Sequence, residues 1–258
     1  MVMEIFFLLL AGLGAGIITG LFGASAVNFA VPILVIFLGY NPYMAIGLSL
    51  GIDVFASLAS SIEYHKQRKI RFKSASVVIF ASFLGVALGS YYSKYIPSMG
   101  LQWFLGLAVF FTGIILAVKK GEFSIHDYFG FKKHSRKYKG VVCLILGLLV
   151  GLNAGVFGAG GGLMIFSILV MFLNYKVHDS IGTSVFSMVF IAALGAIIHY
   201  FVEPFSLYHL LLGSMAGITG SYISAIIANK TSGKILALVT GVIISILGAL
   251  MFLKDMLY

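Results

Sequence analysis

Residues 151–163 read GLNAGVFGAGGGL and lie inside an uncharged, apolar run that extends from residue 141 to residue 173. Five glycines fall between residues 155 and 162. That density is typical of a tight turn, or of backbone that a ligand approaches closely. The flanking residues are too apolar for a solvated loop. The sequence therefore predicts a break in the chain at a depth where the neighbouring residues predict membrane.

Composition places the chain in a membrane. Of its 258 residues, 60% are hydrophobic and 10% are charged, whereas a soluble domain carries roughly a quarter charged residues. The apolar runs do not alternate with polar residues, as the strands of a membrane β-barrel would. Several runs approach the about 20 residues that a helix needs to cross the hydrocarbon core. The sequence therefore predicts an all-α, polytopic membrane protein.

The chain contains an internal repeat. Residues 20–62 align without a gap on residues 155–197, and 16 of these 43 pairs are identical. We call this pairing the repeat register. Each half holds five hydrophobic segments, and the second segment of each half is too short to cross a core of about 30 Å. The first two segments of each half are therefore predicted to form a short or broken helix pair. The segments cover residues 4–21, 25–39, 43–64, 74–94 and 100–118, then 141–157, 160–173, 179–201, 206–228 and 234–253.

The 17 lysine and arginine residues predict the orientation. Residues 65–73 and 119–139 carry five and seven of them, and the positive-inside rule puts both clusters in the cytoplasm. Each half then crosses the membrane an odd number of times, so the repeats are inverted and both termini lie outside. The predicted divisions are a first repeat (1–118), a basic cytoplasmic linker (119–139) and a second repeat (140–258).

Inverted repeats with broken helices at matching positions are typical of secondary transporters, which bind substrate near the membrane midplane. Irregular backbone is tolerated at that depth only when it is buried in protein or lines a water-filled cavity. The alternative is that the glycines only let helices pack closely. Gly147 and Gly151 lie farther from the second break, and we expect them to tolerate alanine.

Two sequence motifs recur in both halves. GLFGA at residues 20–24 matches GVFGA at residues 155–159, and GLS at residues 47–49 matches GTS at residues 182–184. With these motifs, residues 20–72 and 155–190 resemble the two repeats of the sulfite exporter family TauE/SafE. The resemblance implies a multi-pass plasma-membrane permease for sulfur-containing anions such as sulfite, thiosulfate or organosulfonates. The first repeat departs from the glycine pattern, because Ser-Ala-Val at residues 25–27 replaces Gly-Gly-Gly at residues 160–162.

The predicted site holds an anion without a cationic side chain, because every lysine and arginine lies in a loop or at the end of a segment. Helix N-termini offer free N–H groups and the positive end of the helix dipole, and hydroxyl and amide side chains add donors. The candidate substrate-binding residues are Gly23, Ser25, Asn28, Ser49, Asn153, Gly158, Gly160, Gly161, Thr183 and Ser184.

Asp53 is the candidate for proton coupling. It lies near the middle of the third segment, and carboxylates inside a membrane are rare and usually functional. Ser49 and Ser57, one helical turn to either side, are predicted to solvate it. The alternative role is a permanent hydrogen-bonded contact between helices. The equivalent residue in the second half is Met188.

The sequence favours a secondary transporter that moves a small sulfur-containing anion by alternating access, with proton coupling as an open hypothesis. A passive anion channel of the same architecture is the alternative. No catalytic motif is visible, so no enzyme is predicted, and no soluble domain favours a partner-binding subunit. Cys143 is the single cysteine, and the spacing of the histidines fits no metal site, so no metal and no cofactor are predicted. The predicted partners are the anion and membrane lipid rather than nucleic acid, and a homo-oligomer is left open.

Overall fold

The computed structural model describes residues 2–93, 95, 136–158, 161–171, 175–228 and 230, with scattered positions in 107–118 and 234–250. The continuous parts of this described chain form eight helices. They are α1 (Val2–Phe22), α2 (Val27–Leu38), α3 (Pro42–Lys66), α4 (Phe72–Ser93), α5 (Arg136–Phe157), α6 (Gly161–Met171), α7 (Val177–Val202) and α8 (Leu207–Ala228).

Each of these helices coincides with a predicted hydrophobic segment, so the all-helical prediction is confirmed for the described residues. The predicted segments at 100–118 and 234–253 lie largely outside those residues. Helix α5 begins at Arg136, within the predicted linker. Its first turn is basic and precedes the apolar segment that was predicted from residue 141. Five of the described helices are long and apolar enough to cross a membrane: Val2–Phe22, Pro42–Lys66, Ala75–Ser93, His178–Val202 and Leu207–Ala228.

Helices α2 and α6 are short. They contain 12 and 11 residues. At about 1.5 Å per residue, each reaches little more than half of a hydrocarbon core of about 30 Å. Helix α2 ends at Gly39, whose φ of 67° is left-handed, and the Gly39 N–H donates to the carbonyl of Leu34. Each short helix is therefore too short to cross such a core by itself.

Helices α1 and α8 approach each other through glycines. Gly12 of α1 faces the backbone of Gly213 of α8, and one turn later Gly16 faces Gly217. A Cβ atom added to Gly12 or Gly16 would overlap the facing carbonyl group. Close packing of this kind is common in membranes, where helix association depends on van der Waals contact between backbones.

Helices α4 and α5 pack in the same way. A Cβ atom on Gly151 of α5 would overlap the backbone carbonyl of Ser82 in α4, and one on Gly147 would lie 2.7 Å from the Cβ of Ala81. The prediction that Gly147 and Gly151 tolerate alanine is therefore wrong. These glycines pack two helices together, although they lie outside the second break.

Helices α3 and α7 form the centre of the described fold. They pack against each other, while α8 covers α3 and α4 covers α7. Their interior is filled by buried aliphatic side chains such as Ile46, Leu48 and Met188. The outward faces of α4 and α8 instead carry large exposed apolar side chains, including Phe80 and Met215. Apolar residues on the outside are what a helix in contact with lipid requires.

Candidate functional site

Two breaks interrupt the helices at equivalent positions. The first break (residues 23–26) separates α1 from α2, and the second break begins at Gly158, between the end of α5 at Phe157 and the start of α6 at Gly161. Each begins with a glycine in the left-handed region, Gly23 with φ 65° and Gly158 with φ 63°. Glycine adopts this conformation without the steric cost that a Cβ atom brings. These two glycines are paired in the repeat register, so the breaks lie at matching positions of the two halves.

The two breaks contact each other inside the protein. The Ser25 hydroxyl of the first break lies 3.1 Å from the carbonyl oxygen of Gly158 in the second. A Cβ atom on Gly162 would overlap the carbonyl of Gly23, and one on Gly158 would lie 3.1 Å from the Val27 side chain. Irregular backbone from both halves is therefore buried together in protein, as the bilayer interior requires.

Asp53 of α3 is fully buried beside the first break. Its Oδ1 accepts from the hydroxyls of Ser57 at 3.1 Å and Thr19 at 3.3 Å. Its Oδ2 accepts from the Ser25 hydroxyl at 2.7 Å. The backbone N–H of Ala26, at the start of α2, donates to the same carboxylate. We call these four donors, from Thr19, Ser25, Ala26 and Ser57, the carboxylate cradle.

Ser49 does not belong to the cradle, so the prediction that it solvates Asp53 is wrong. Its hydroxyl is buried and has no hydrogen-bond partner. The same holds for both polar atoms of the Asn28 side chain, in the first turn of α2. Buried polar atoms without partners cost free energy and are uncommon in folded proteins. Within the described parts of the chain, Asn28 and Ser49 are therefore the predicted residues with a buried side-chain donor that has no partner.

The second half replaces Asp53 and the three hydroxyls of the cradle by apolar side chains or glycine. Met188 stands in the position of Asp53, and its Sδ would lie 3.2 Å from a Cβ on Gly161, the first residue of α6. The three hydroxyl positions of the cradle are also apolar there. Thr19, Ser25 and Ser57 correspond to Ala154, Gly160 and Ala192. Because all four positions change together, the polar centre belongs to one half of the chain.

The other predicted residues have varied surroundings. The Gly23 N–H is used within the last turn of α1, where it donates to the Thr19 carbonyl at 2.9 Å. The Ser184 hydroxyl donates to the Ile181 carbonyl at 2.9 Å and lies 3.5 Å from the carbonyl of Gly23. Asn153 is half-buried on α5, and Gly160 lies outside the described residues.

Thr183 points to the turn between α3 and α4. Its hydroxyl donates to the Asp179 carbonyl at 2.6 Å and accepts from the backbone N–H of Arg71 at 3.0 Å. The Arg71 guanidinium also donates to the buried Asp179 carboxylate, with Nε 3.0 Å from Oδ2. The hydrogen bond and the negative charge of Asp179 raise the pKa of Arg71 above its ordinary value. This ion pair joins the first half of the chain to the second.

A second polar cluster lies at the opposite end of α3. His209 at the start of α8 contacts the Tyr40 hydroxyl, and its Nε2 lies 3.1 Å from a Glu4 carboxylate oxygen on α1. Burial and the negative charge of Glu4 raise the pKa of Tyr40 above its ordinary value. No spacing pattern in the sequence points to this cluster, because its residues meet only through the packing of α1 against α8.

Tyr64 and His199 are two further buried polar residues that the sequence motifs did not indicate, although the repeat pairs them. The repeat register, continued past residue 62, pairs Tyr64 with His199. The Tyr64 hydroxyl donates to the Gly20 carbonyl at 2.8 Å, and His199 Nε2 lies 3.1 Å from the Gly155 carbonyl. His199 Nδ1 faces a second carbonyl, that of Tyr43, at 3.3 Å. A neutral imidazole can donate to only one of these two oxygens.

The apolar exterior, the long helices and the buried polar centre define a multi-pass helical membrane protein. The family described as Sulfite exporter TauE/SafE matches residues 8–251. The chain therefore belongs to this family, and it is a membrane transporter.

Curated relatives carry the same general description. The probable membrane transporter protein YunE of Bacillus subtilis is 24% identical over 250 residues, which cover 93% of this chain and 90% of the relative. The probable membrane transporter protein YdhB of the same organism is 26% identical and covers 83% and 86% of the two chains. A probable membrane transporter protein of Xylella fastidiosa is 25% identical, with 85% and 83% covered. No solved structure matches the chain.

Proposed function

We propose that the protein is a secondary transporter that moves a small sulfur-containing anion across the plasma membrane by alternating access. The observation that carries this proposal is the contact between the two breaks, which buries a carboxylate with its donors at the centre of the fold. Membership of the family described as Sulfite exporter TauE/SafE supports a sulfur-containing anion as the substrate, and the candidates that we propose are sulfite, thiosulfate and organosulfonates.

The two halves are proposed to be inverted repeats, with both termini outside. The close contacts recur in both halves, since Gly16 packs on Gly217 and Gly151 packs on Ser82. In the repeat register, continued to either side, Gly16 corresponds to Gly151 and Ser82 corresponds to Gly217. Exchanging the halves therefore preserves the contact. The inverted orientation itself rests on the distribution of lysine and arginine.

The anion is proposed to be held by neutral donors at the breaks. The described lysine and arginine residues lie at helix ends or between helices, as Arg71 and Lys66 do. Hydroxyls, amides and backbone N–H groups at the start of a helix bind oxyanions without a fixed positive charge. We retain the predicted substrate-binding residues, with Asn28 and Ser49 as the strongest because their donors have no partner among the described residues.

Asp53 is proposed to couple transport to a proton. A carboxylate in a buried site opposes entry of a second negative charge, because charges close together repel strongly where the dielectric constant is low. Protonation removes that repulsion, so the anion and a proton enter together. Coupling of this kind lets a pH gradient drive accumulation of the anion.

Transport by purified protein in lipid vesicles tests the proposal. Vesicles are supplied in parallel with labelled sulfite, thiosulfate, taurine and sulfate, with and without a pH gradient. We expect saturable uptake of at least one sulfur-containing anion, counterflow of labelled against unlabelled substrate, and accumulation when a gradient is applied. Flux without saturation or counterflow would instead identify a passive channel.

Asp53→Asn tests the coupling step. The amide keeps the size of the side chain but cannot change charge. We expect this variant to catalyse counterflow at equal pH on both sides and to lose accumulation driven by the gradient. Gradient-driven accumulation equal to that of the unmodified chain would make Asp53 a structural contact.

A further inference from the structure

We propose that the carboxylate cradle is the oxyanion site of the transporter, occupied in this state by the protein's own Asp53. A substrate oxyanion takes the place of the carboxylate once Asp53 is protonated. This inference rests on the proposed function for the identity of the transported anion, but the site itself can be tested with simple anions.

The cradle has the composition of an anion receptor. Hydroxyls of Thr19, Ser25 and Ser57 and the N–H of Ala26 all point their protons at one carboxylate. The N–H belongs to the start of α2, where the helix dipole favours negative charge. Charge-assisted hydrogen bonds of this kind are stronger than those between neutral groups. The same donors fit any pair of anionic oxygens.

Two further donors remain available close to the cradle in the chain. Asn28 lies two residues after Ala26, and Ser49 lies one helical turn before Asp53. Both side chains are fully buried, and neither the Asn28 amide nor the Ser49 hydroxyl has a partner. A carboxylate has two oxygens, whereas sulfite and sulfonates have three. We therefore propose Asn28 and Ser49 as donors to the third oxygen.

Among the residues that the structure describes, Asp53 supplies the ionisable group of the cradle. Its hydrogen-bond partners are three hydroxyls and one N–H, none of which titrates near neutral pH. Helix α2 carries no ionisable side chain. The acidic, basic and imidazole side chains on α3 and its other neighbours have no hydrogen bond to Asp53: Glu4 on α1, Glu63, His65 and Lys66 on α3, His178, Asp179 and His199 on α7, and His209 on α8.

The total charge of the buried site explains why Asp53 must be protonated when the anion enters. In the present arrangement the cradle holds one negative charge, on Asp53. When a proton binds an Asp53 oxygen and a monoanion enters, the carboxyl is neutral and the charge resides on the ligand. The buried site then carries one negative charge in both states and avoids the large cost of burying two. The exchange requires the neutral Asp53 side chain to rotate out of the cradle, after which the three hydroxyls and the Ala26 N–H donate to the incoming oxygens.

Anion binding to purified full-length protein, measured by calorimetry, tests this assignment. The probes are methanesulfonate, whose charge is constant with pH, and formate, which replaces a missing carboxylate. Above the titration range of Asp53, we expect the affinity of the unmodified chain for methanesulfonate to fall about tenfold per pH unit, because the protonated fraction falls by that factor.

Asp53→Ala removes the competing carboxylate. We expect it to bind formate and methanesulfonate at least about tenfold more tightly than the unmodified chain at neutral pH, with no dependence on pH. Asp53→Asn keeps the size of the side chain, so it provides a second test if Asp53→Ala fails to fold. It should bind methanesulfonate at neutral pH about as tightly as the unmodified chain does under acidic conditions. Met188→Ala is the matched control, because it removes the equivalent side chain where no cradle exists.

The assignment is overturned if neither Asp53 variant binds either anion more tightly than the unmodified chain, or if Met188→Ala gains as much affinity. Formate binding to Asp53→Ala does not depend on any sulfur-containing substrate. If that binding is found but the unmodified chain transports none of the sulfur-containing anions, the oxyanion site is upheld and the proposed function is wrong.

Discussion

Tyr64 and His199 make the same contact in the two halves of the chain. Tyr64 donates to the carbonyl of Gly20, and His199 approaches the carbonyl of Gly155, three residues before the glycine that opens each break. Both side chains are fully buried. A long polar side chain from α3 or α7 therefore fastens the last turn of the helix that precedes each break. Two different residue types perform this task at equivalent positions.

The equivalence predicts which substitutions Tyr64 tolerates. Tyr64→Phe keeps the ring but leaves the Gly20 carbonyl buried without its donor, which costs about 1–3 kcal/mol. Tyr64→His restores a donor of the kind that His199 supplies, so its loss should be smaller. Thermal unfolding in detergent measures both. Equal destabilisation by the two variants would show that the hydroxyl of Tyr64, rather than any donor, is required.

The Arg71–Asp179 ion pair should contribute to stability because it satisfies a buried carboxylate. Asp179 is 7% exposed and Arg71 is 54% exposed. Arg71→Gln removes the positive charge, so the carboxylate stays buried without its ionic partner. We expect a lower midpoint of thermal unfolding. Lys66→Gln is the control, since Lys66 pairs with Glu63 at 3.7 Å on the surface of one helix, and such pairs contribute little. Equal midpoints for the two variants would contradict this role.

Alanine substitutions at Gly158 and Gly39 distinguish the effect of backbone strain from the effect of a steric clash. Both have a left-handed φ, but a Cβ atom on Gly158 would lie 2.7 Å from Ile46, whereas one on Gly39 would meet open space. Alanine at either position should cost about 1 kcal/mol through the backbone alone. Only Gly158→Ala should also abolish counterflow, because it pushes the second break away from α3. Similar counterflow by the two variants would mean that the contact is unimportant.

Labelling of single cysteines tests the proposed topology. In a background where Cys143 is replaced by alanine, a cysteine at Arg68 or Lys137 should react with impermeant thiol reagents only from the cytoplasmic side. A cysteine at Glu203 should react only from outside. Labelling of Lys137→Cys and Glu203→Cys from the same side would contradict the inverted repeat.

The helices and breaks could be predicted from the sequence because they depend on local patterns. Long apolar runs predicted the helices, and the glycines around Gly23 and Gly158 predicted the interruptions. Donors to Asp53 could be predicted only where they share its helix, as Ser57 does. Thr19 and Ser25 lie 34 and 28 residues away in the chain. They reach Asp53 because α1 and the first break fold against α3.

Position-by-position comparison of the two halves would have recovered more of the site than motif reading did. In the repeat register, Thr19, Ser25, Asp53 and Ser57 all change to apolar residues or glycine. Asn28, Ser60 and Ser61 change in the same way, so the comparison gives a short set of candidate positions, four of which meet at Asp53 or its donors. The cluster of Glu4, Tyr40 and His209 has no such signal, because these residues come together only when helices that are distant in the sequence pack against each other.

The close approach of Gly12 to Gly213 has a mechanical consequence. Helices α1 and α8 pack closely through glycines, as do α4 and α5, so we expect each pair to move as one body. Each of these two pairs therefore contains one helix from each half of the sequence, and we expect the pairs, rather than the covalent halves, to be the units that move. We expect the hinges to lie at the two breaks, where α2 and α6 leave these blocks and the chain carries its left-handed glycines. Severing the chain between residues 119 and 139 would leave each fragment with a glycine-lined groove that only the other fragment fills, so neither should be stable until both meet in the bilayer.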